Sequence, residues 1–417
     1  MRLDEFIEGF ERDTAAERRR LARQKSYAIT DHLEDVERQF EQVLQGDSLF
    51  GSSAPEIFVG RSNYPDVATG LLSPMDREAD PTEYATSGEW YHRGFDIDDV
   101  LQRRTGLLNS TRSSTVSVED VWDGFVGVQR EVAIADHPVD VEVGLDGSPD
   151  LDLSLDDIRT PTGPRARAEE ADLAENPHVP RPVEKTLEDD DWQAEGAMTY
   201  LYRRGFDVYD VNTILSAGAL GRDRDRRLVP TRWSITAVDD TVSRYLRGTL
   251  RNAASVDEVE VWYNEYMGND YWVVLAPGNW EFELVELKAP GSVWNPDPGG
   301  DYYLAADSET YEGRTAYVDE TSGAYYASRL AVLEHLQERD RQATCLVIRH
   351  ASESYWAPVG VWQIREGIRH AFESEPATAE TFHDAIRQLE EALPVSLKAL
   401  RRKSELVAGV QSQLTDF

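Results

Sequence analysis

The chain has almost no cysteine, very little lysine and no long apolar run, and each shortage removes a class of explanation. Its 417 residues hold one cysteine, Cys345, so no disulfide closes within the chain and no cysteine-based zinc site is built. Cys345 lies in Thr344-Cys345-Leu346-Val347-Ile348, a run that reads as a buried strand in which a thiol packs inertly. No apolar run approaches the roughly 18 residues of a membrane span, and the charged N-terminus lacks a signal-peptide core. A cytoplasmic protein with no membrane partner is expected. There is no G-x-x-x-x-G-K-[ST] loop for nucleotide phosphates, and the eight histidines form no H-E-x-x-H or H-x-H pair. The sequence thus offers no metal ligand set, and its cofactors are open.

The shortage of lysine goes with a surplus of acid. Of 43 basic residues five are lysines (Lys25, Lys185, Lys288, Lys398 and Lys403), against 78 acidic residues and a net charge of −35. Abundant carboxylate with little lysine is the composition of a protein from molar intracellular salt, as in a halophilic archaeon. Ten tryptophans and 10% aromatic residues argue against a chain kept unfolded by self-repulsion. The charge therefore describes the solvent rather than a cationic partner. It also bears on DNA binding: at 1 M salt the Debye length is about 3 Å and phosphate contacts weaken steeply, whereas apolar docking does not.

The expected fold is α+β, a mixed sheet core with flanking helices. Residues 1–45 carry apolar residues at three- and four-residue intervals and read as an N-terminal helix. Residues 46–135 read as a first α+β half. Residues 136–191 hold 17 acidic and five basic residues with several prolines and read as an acidic connector containing one edge strand, Val139 to Val143. Residues 192–405 form the main α+β half, with strands at Val259–Tyr263, Tyr271–Leu275, Trp280–Leu287, Thr344–Arg349 and Val359–Gln363. Helices are expected over Ala194–Leu220 with a break near Gly205, Gly323–Gln337, Ile364–Phe372 and Ala379–Leu393. Residues 406–417 form a flexible tail. Arg93-Gly94-Phe95-Asp96-Ile97-Asp98-Asp99-Val100 is echoed by Arg204-Gly205-Phe206-Asp207-Val208-Tyr209-Asp210-Val211, which points to two related halves or to coincidence.

Three segments carry candidate chemistry. Arg222, Arg224, Arg226, Arg227 and Arg232 stand within eleven residues beside Trp233, a mixture suited to phosphate contact and base stacking, or to internal ion pairs. Glu286-Leu287-Lys288, at the end of a strand, resembles the E-x-K of metal-dependent nucleases. Asp239 and Asp240 are further acidic candidates, and a divalent metal enters only under that reading. The last seven residues place Gln411, Leu414 and Phe417 in Q-x-x-L-x-x-F spacing, with the apolar pair on one helical face. This resembles the box by which replication and repair proteins dock on the sliding clamp (PCNA). The resemblance implies that Leu414 and Phe417 fill an apolar pocket and Gln411 a polar one.

The run Val229-Pro230-Thr231-Arg232-Trp233-Ser234-Ile235-Thr236-Ala237-Val238-Asp239-Asp240 resembles the signature of the archaeal NreA DNA repair family. Phe58-Val59-Gly60-Arg61 through Tyr64-Pro65, Asn176-Pro177 with Val183-Glu184-Lys185, and Gly360-Val361-Trp362 match the same family. The resemblance runs from about residue 48 to the end. It implies a DNA damage-repair factor that binds the clamp. It implies no reaction, so a nuclease and a non-catalytic DNA-binding adaptor both stay open.

Overall fold

The computed structural model describes residues 48–76, 78–117, 124–147, 163–295, 297 and 299–409. The helix expected over 1–45 and the docking residues Gln411, Leu414 and Phe417 lie outside them. The fold is α+β with mixed sheets. The described residues divide into two compact units, one up to Val242 and one from Ser243, with the division inside the helix Thr231–Leu250. The expected halves lay on either side of a connector over residues 136–191.

The first unit holds a six-stranded sheet built from β1 (Ser48–Ser53), β2 (Ile57–Val59), β3 (Asp66–Pro74), β4 (Leu107–Thr115), β5 (Val139–Leu145) and β6 (Arg165–Leu173), in the order β1-β5-β6-β4-β3-β2. Only β4 and β6 run parallel; the other pairs are antiparallel. The acidic stretch expected to connect two halves supplies β5, β6 and the helix Arg181–Glu188. Its Val139, Val141 and Val143 point into the core while the intervening acids face outward. This strand lies between β1 and β6 rather than at an edge. The alternation was legible, but its neighbours come from distant sequence. The helix Gly124–Ile134 joins the core through Phe125, Val132 and Ala133.

The two R-G-F-D segments fold alike for a local reason. Gly94 (φ 69°) and Gly205 (φ 92°) occupy the left-handed position after a short helix. Phe95 and Phe206 donate their N–H groups back to the carbonyls of Trp90 (3.0 Å) and Leu201 (3.2 Å). Asp96 and Asp207 then cap the helices Ile97–Thr105 and Val208–Ser216, each in a reciprocal capping box with Asp99 or Asp210. The echo is a shared stop-and-start signal between helices.

The second unit contains the two-residue strands β7 (Ala254–Ser255) and β12 (Arg341–Gln342), which pair with each other, and a second mixed sheet. Its strands are β8 (Val259–Tyr266), β9 (Asn269–Ala276), β10 (Glu281–Lys288), β11 (Tyr303–Glu309), β13 (Thr344–Ala351) and β14 (Ala377–Ala379), ordered β11-β10-β13-β9-β8-β14. The expected strand at Val359–Gln363 is absent; Trp362 instead opens the helix Trp362–Ala371 and donates its indole N–H to the Val359 carbonyl at 2.8 Å. A short apolar run fits either structure, and here the helical periodicity after it prevails.

β10 is buried from Phe282 to Leu287, because both faces of this sheet are covered. Val285 and Leu287 pack with Ile386, Leu397, Leu400 and Val407 of the C-terminal helices, whereas Phe282 meets Tyr325 of the helix Gly323–Arg339 on the opposite face. Glu283 lies among the apolar residues of the first face. It accepts hydrogen bonds from the Ser404 hydroxyl (2.6 Å) and the N–H groups of Glu405 (2.7 Å) and Leu406 (3.0 Å). Burial pushes its pKa up in spite of these donors. On the Tyr325 side, His335 stacks on Phe372 at 3.8 Å and meets the Trp262 edge. Burial, with Arg339 nearby, lowers its pKa to about 4.

Glu283→Ala strands three donors and is expected to destabilise the C-terminal unit by about 2–4 kcal/mol, and Glu283→Gln by less, as measured by denaturant unfolding in molar KCl. For His335 the unfolded side chain takes up a proton near pH 6.5 and the folded one only near 4. Stability therefore falls as pH drops through that window, by at most about 3 kcal/mol. Unfolding curves of wild type and His335→Gln should converge toward pH 4; a constant gap between them refutes this role.

Candidate nucleic-acid interface

The signature segment around Trp233 and the Phe58–Pro65 segment, about 170 residues apart in sequence, meet in the first unit. Thr231 opens the helix Thr231–Leu250, and its hydroxyl oxygen accepts the Val59 N–H at 2.9 Å. That hydroxyl lies 3.2 Å from the Ser216 hydroxyl, which donates to the Val229 carbonyl at 2.9 Å. Ser234, fully buried, donates to the Asn212 side-chain oxygen at 2.5 Å. Three hydroxyls thus tie β2, the end of the helix Val208–Ser216 and the start of the long helix into one knot. Threonine and serine are suited to it, since each supplies a donor and acceptors without charge.

The knot sets an aromatic pair at the surface. β2 leads through the Gly60–Pro65 loop to β3, and every residue from Arg61 to Asp66 is exposed. Asn63 takes a left-handed φ of 66°, and Asp66 donates back to its carbonyl at 2.9 Å, which closes the turn. Tyr64 reaches Trp233, with ring centroids 5.2 Å apart and planes tilted by 53°. Tyr64 is 48% and Trp233 44% exposed, so both rings leave a face to solvent although each is large and apolar. Arg232, next to Trp233, and Arg61, three residues before Tyr64, are also exposed. Aromatic faces with arginines alongside are the chemistry of a stacking platform for unpaired bases.

The arginine run divides into structural and surface members. Arg226 is 7% exposed. Its guanidinium donates to the carbonyls of Gly221 (2.9 Å), Leu187 (2.9 Å) and Thr186 (3.3 Å), fastening the end of the helix Arg181–Glu188. Buried there, it offers nothing to a surface ligand. Half-buried Arg222 donates to the Asp191 carbonyl at 3.4 Å. Arg224, Arg227 and Arg232 are exposed. Arg130, which no sequence pattern singles out, repeats the buried use by donating to the carbonyls of Ala217 (3.1 Å) and Gly218 (3.2 Å). Burial, and then the charge of Arg226, lowers its pKa to about 10.

The acidic candidates fall in different units. Asp239 and Asp240 belong to the first unit, Asp239 with 1% exposure. Glu286 belongs to the second, where its buried carboxylate lies 2.5 Å from an Arg349 nitrogen and 3.1 Å from Lys288 Nζ. Asp270 and Glu283 lie on the other face of that sheet, by the alternation of the paired strands. Asp270 accepts from the Tyr263 hydroxyl (2.7 Å) and lies 2.8 Å from His350 Nδ1, which first among its neighbours holds its pKa down. Glu286 is therefore a core carboxylate held between two cations. Cys345 is buried, and burial raises its pKa well above the usual thiol value, consistent with inert packing. Among the described residues, Asp136, His137 and His178 bring potential metal-ligand atoms within 4.8 Å of one another, all exposed. Sequence reasoning missed them because His178 is distant in the chain. No helix among the described residues is long and apolar enough to cross a membrane.

Thr231→Val removes the acceptor of the Val59 N–H and is expected to cost about 1–2 kcal/mol in unfolding free energy. Trp233→Ala, at an exposed position, is expected to cost under about 1 kcal/mol. The opposite ranking would show that the ring pair, not the hydroxyl knot, joins the two segments.

Comparison with known proteins agrees along the whole chain. The family described as Archaeal Nre, N-terminal, matches residues 21–295, and Archaeal Nre, C-terminal, matches residues 309–417. The DNA repair protein NreA of Haloferax volcanii is 68% identical over all of both chains. The NreA protein of Archaeoglobus fulgidus is 39% identical over 84% of this chain and 86% of its own, and the NreB protein of the same organism 34% identical over 90% and 93%. No solved structure matches. The two halves of the family thus account for nearly every residue, and the chain belongs to the archaeal Nre family.

Proposed function

We propose that this protein is a DNA repair factor of a salt-adapted archaeon, working in the cytoplasm. It is brought to DNA by the sliding clamp (PCNA) through Gln411, Leu414 and Phe417, and it touches DNA with Tyr64, Trp233 and the exposed Arg61, Arg224, Arg227 and Arg232. The repair role is supported by the names of its relatives, all DNA repair proteins. The observation that carries the DNA contact is the exposed Tyr64–Trp233 pair, built from two family segments. Stacking suits a brine better than phosphate pairing, because it loses less to screening.

Recruitment through the tail obeys the same logic. Burying Leu414 and Phe417 is worth about 1.5–3 kcal/mol each, and ordering the segment removes several kcal/mol of the total. The contact is weak and exchangeable by itself and gains avidity when the body also holds DNA. Glu286, locked between Arg349 and Lys288, supports an adaptor rather than a nuclease.

Leu414→Ala/Phe417→Ala is expected to lose co-purification with the clamp while keeping DNA retention. Tyr64→Ala/Trp233→Ala should lower retention of single-stranded DNA at molar KCl at least about tenfold, on the stacking energy of two rings, and keep the clamp. Clamp binding that survives the first variant, or DNA binding that survives the second, removes the corresponding half of the proposal.

A further inference from the structure

The connections at one end of β5 and β6 bring together three side chains that the DNA and clamp contacts leave unused. Asp136 and His137 lie between the helix Gly124–Ile134 and β5, and His178 between β6 and the helix Arg181–Glu188. The antiparallel register pairs Val141 of β5 with Leu173 of β6, and carrying it five residues outward sets Asp136 opposite His178. The backbone follows that extension. Ala174 donates to the Asp140 carbonyl at 2.8 Å, and Asp136 to the His178 carbonyl at 3.2 Å. Pro138 follows His137 and Pro177 precedes His178, so each connection is stiffened beside its imidazole.

The side chains converge on one point. His178 Nδ1 lies 2.8 Å from one Asp136 carboxylate oxygen, and His137 Nδ1 contacts the other. The two imidazole rings stack with centroids 5.8 Å apart and planes 16° from parallel. One ligand atom from each of the three residues lies within 4.8 Å of the others. Two ligands on a tetrahedral zinc ion stand about 3.3 Å apart, so small rotations of these exposed side chains close the set. The imidazoles are 59% and 68% exposed, and water could serve both of them. Their aim at a single carboxylate therefore comes from the backbone that places them and not from burial.

We propose that Asp136, His137 and His178 bind a divalent transition-metal ion of the zinc type. Two nitrogens and one oxygen fill three positions, and water fills the fourth. Each imidazole keeps its proton on Nε2, so the ion meets two neutral nitrogens and one carboxylate. Imidazole selects zinc, cobalt or nickel over magnesium and calcium, which take oxygen ligands. Coordination acts at bond length and so withstands molar salt that screens longer-range attraction. The ion clasps the chain entering β5 to the chain leaving β6. A fourth position facing solvent is the pattern of a site that takes a further ligand, whereas a structural zinc site is closed by protein.

The test is calorimetric titration of zinc chloride into the chelator-treated full chain in molar KCl near neutral pH, with magnesium chloride as the contrast. Saturable binding of one zinc ion per chain is expected, with no saturable binding of magnesium. His137→Gln/His178→Gln removes two of three ligands and should weaken zinc at least about tenfold. Zinc should raise the thermal unfolding midpoint of the wild type and leave that of the double variant where it is. Without zinc the two midpoints should agree, since both positions are exposed. If the double variant does not fold, His137→Gln alone should weaken zinc in the same direction. No saturable zinc binding overturns the proposal. So does magnesium binding as tightly as zinc, or a zinc affinity that the histidine substitutions leave unchanged.

Discussion

A carboxylate removed from water has to find donors or a cation, and the second unit is arranged around Glu283, Glu286, Asp307 and Glu309, all of which do. Asp307 accepts the N–H groups of Asp319, Glu320 and Thr321 and so sets the loop that starts the helix Gly323–Arg339. Glu309 gathers Trp280, Arg329 and Arg247, and Glu283 holds the last helices. These residues lie on the neighbouring strands β10 and β11, so one pair of strands organises the later loops and helices of the unit. Apolar packing supplies the bulk of the stabilisation, and the buried acids select one arrangement of loops and helices among those that would pack.

Arginine performs the complementary task. Arg130 and Arg226 carry their charge into the first unit and satisfy carbonyls at helix ends, which carry partial negative charge. A planar, weakly hydrated guanidinium suits that position better than an ammonium. The scarcity of lysine is therefore consistent both with a brine and with a core that uses cations as fasteners. It also explains why charge density in sequence is a poor guide to a binding surface. Arg226 looks identical to Arg224 until its partners are seen.

The strands β8, β9, β10 and β13 were readable because apolar and β-branched residues fill them, and the α+β class came from their alternation with helical periods. Elements whose partners lie far away were less legible. β5 read as an edge strand, Val359–Gln363 read as a strand, and the residues around 136–191 read as a connector, because tertiary neighbours decide such cases. Of the candidate interface, Trp233 and the arginines were visible in sequence and their family segment was recognisable. Tyr64 carried no signal of its own beyond membership of a second family segment. Its place against Trp233 depends on the Thr231 hydroxyl meeting the Val59 N–H, a contact between positions 172 residues apart.

The grip of Glu283 on residues 404–406 ties the end of the described chain to the middle of a sheet. The helix Glu405–Gly409 begins on that carboxylate. One side chain of β10 therefore sets the register of this helix, and a slip of the strand along its axis would carry the helix with it.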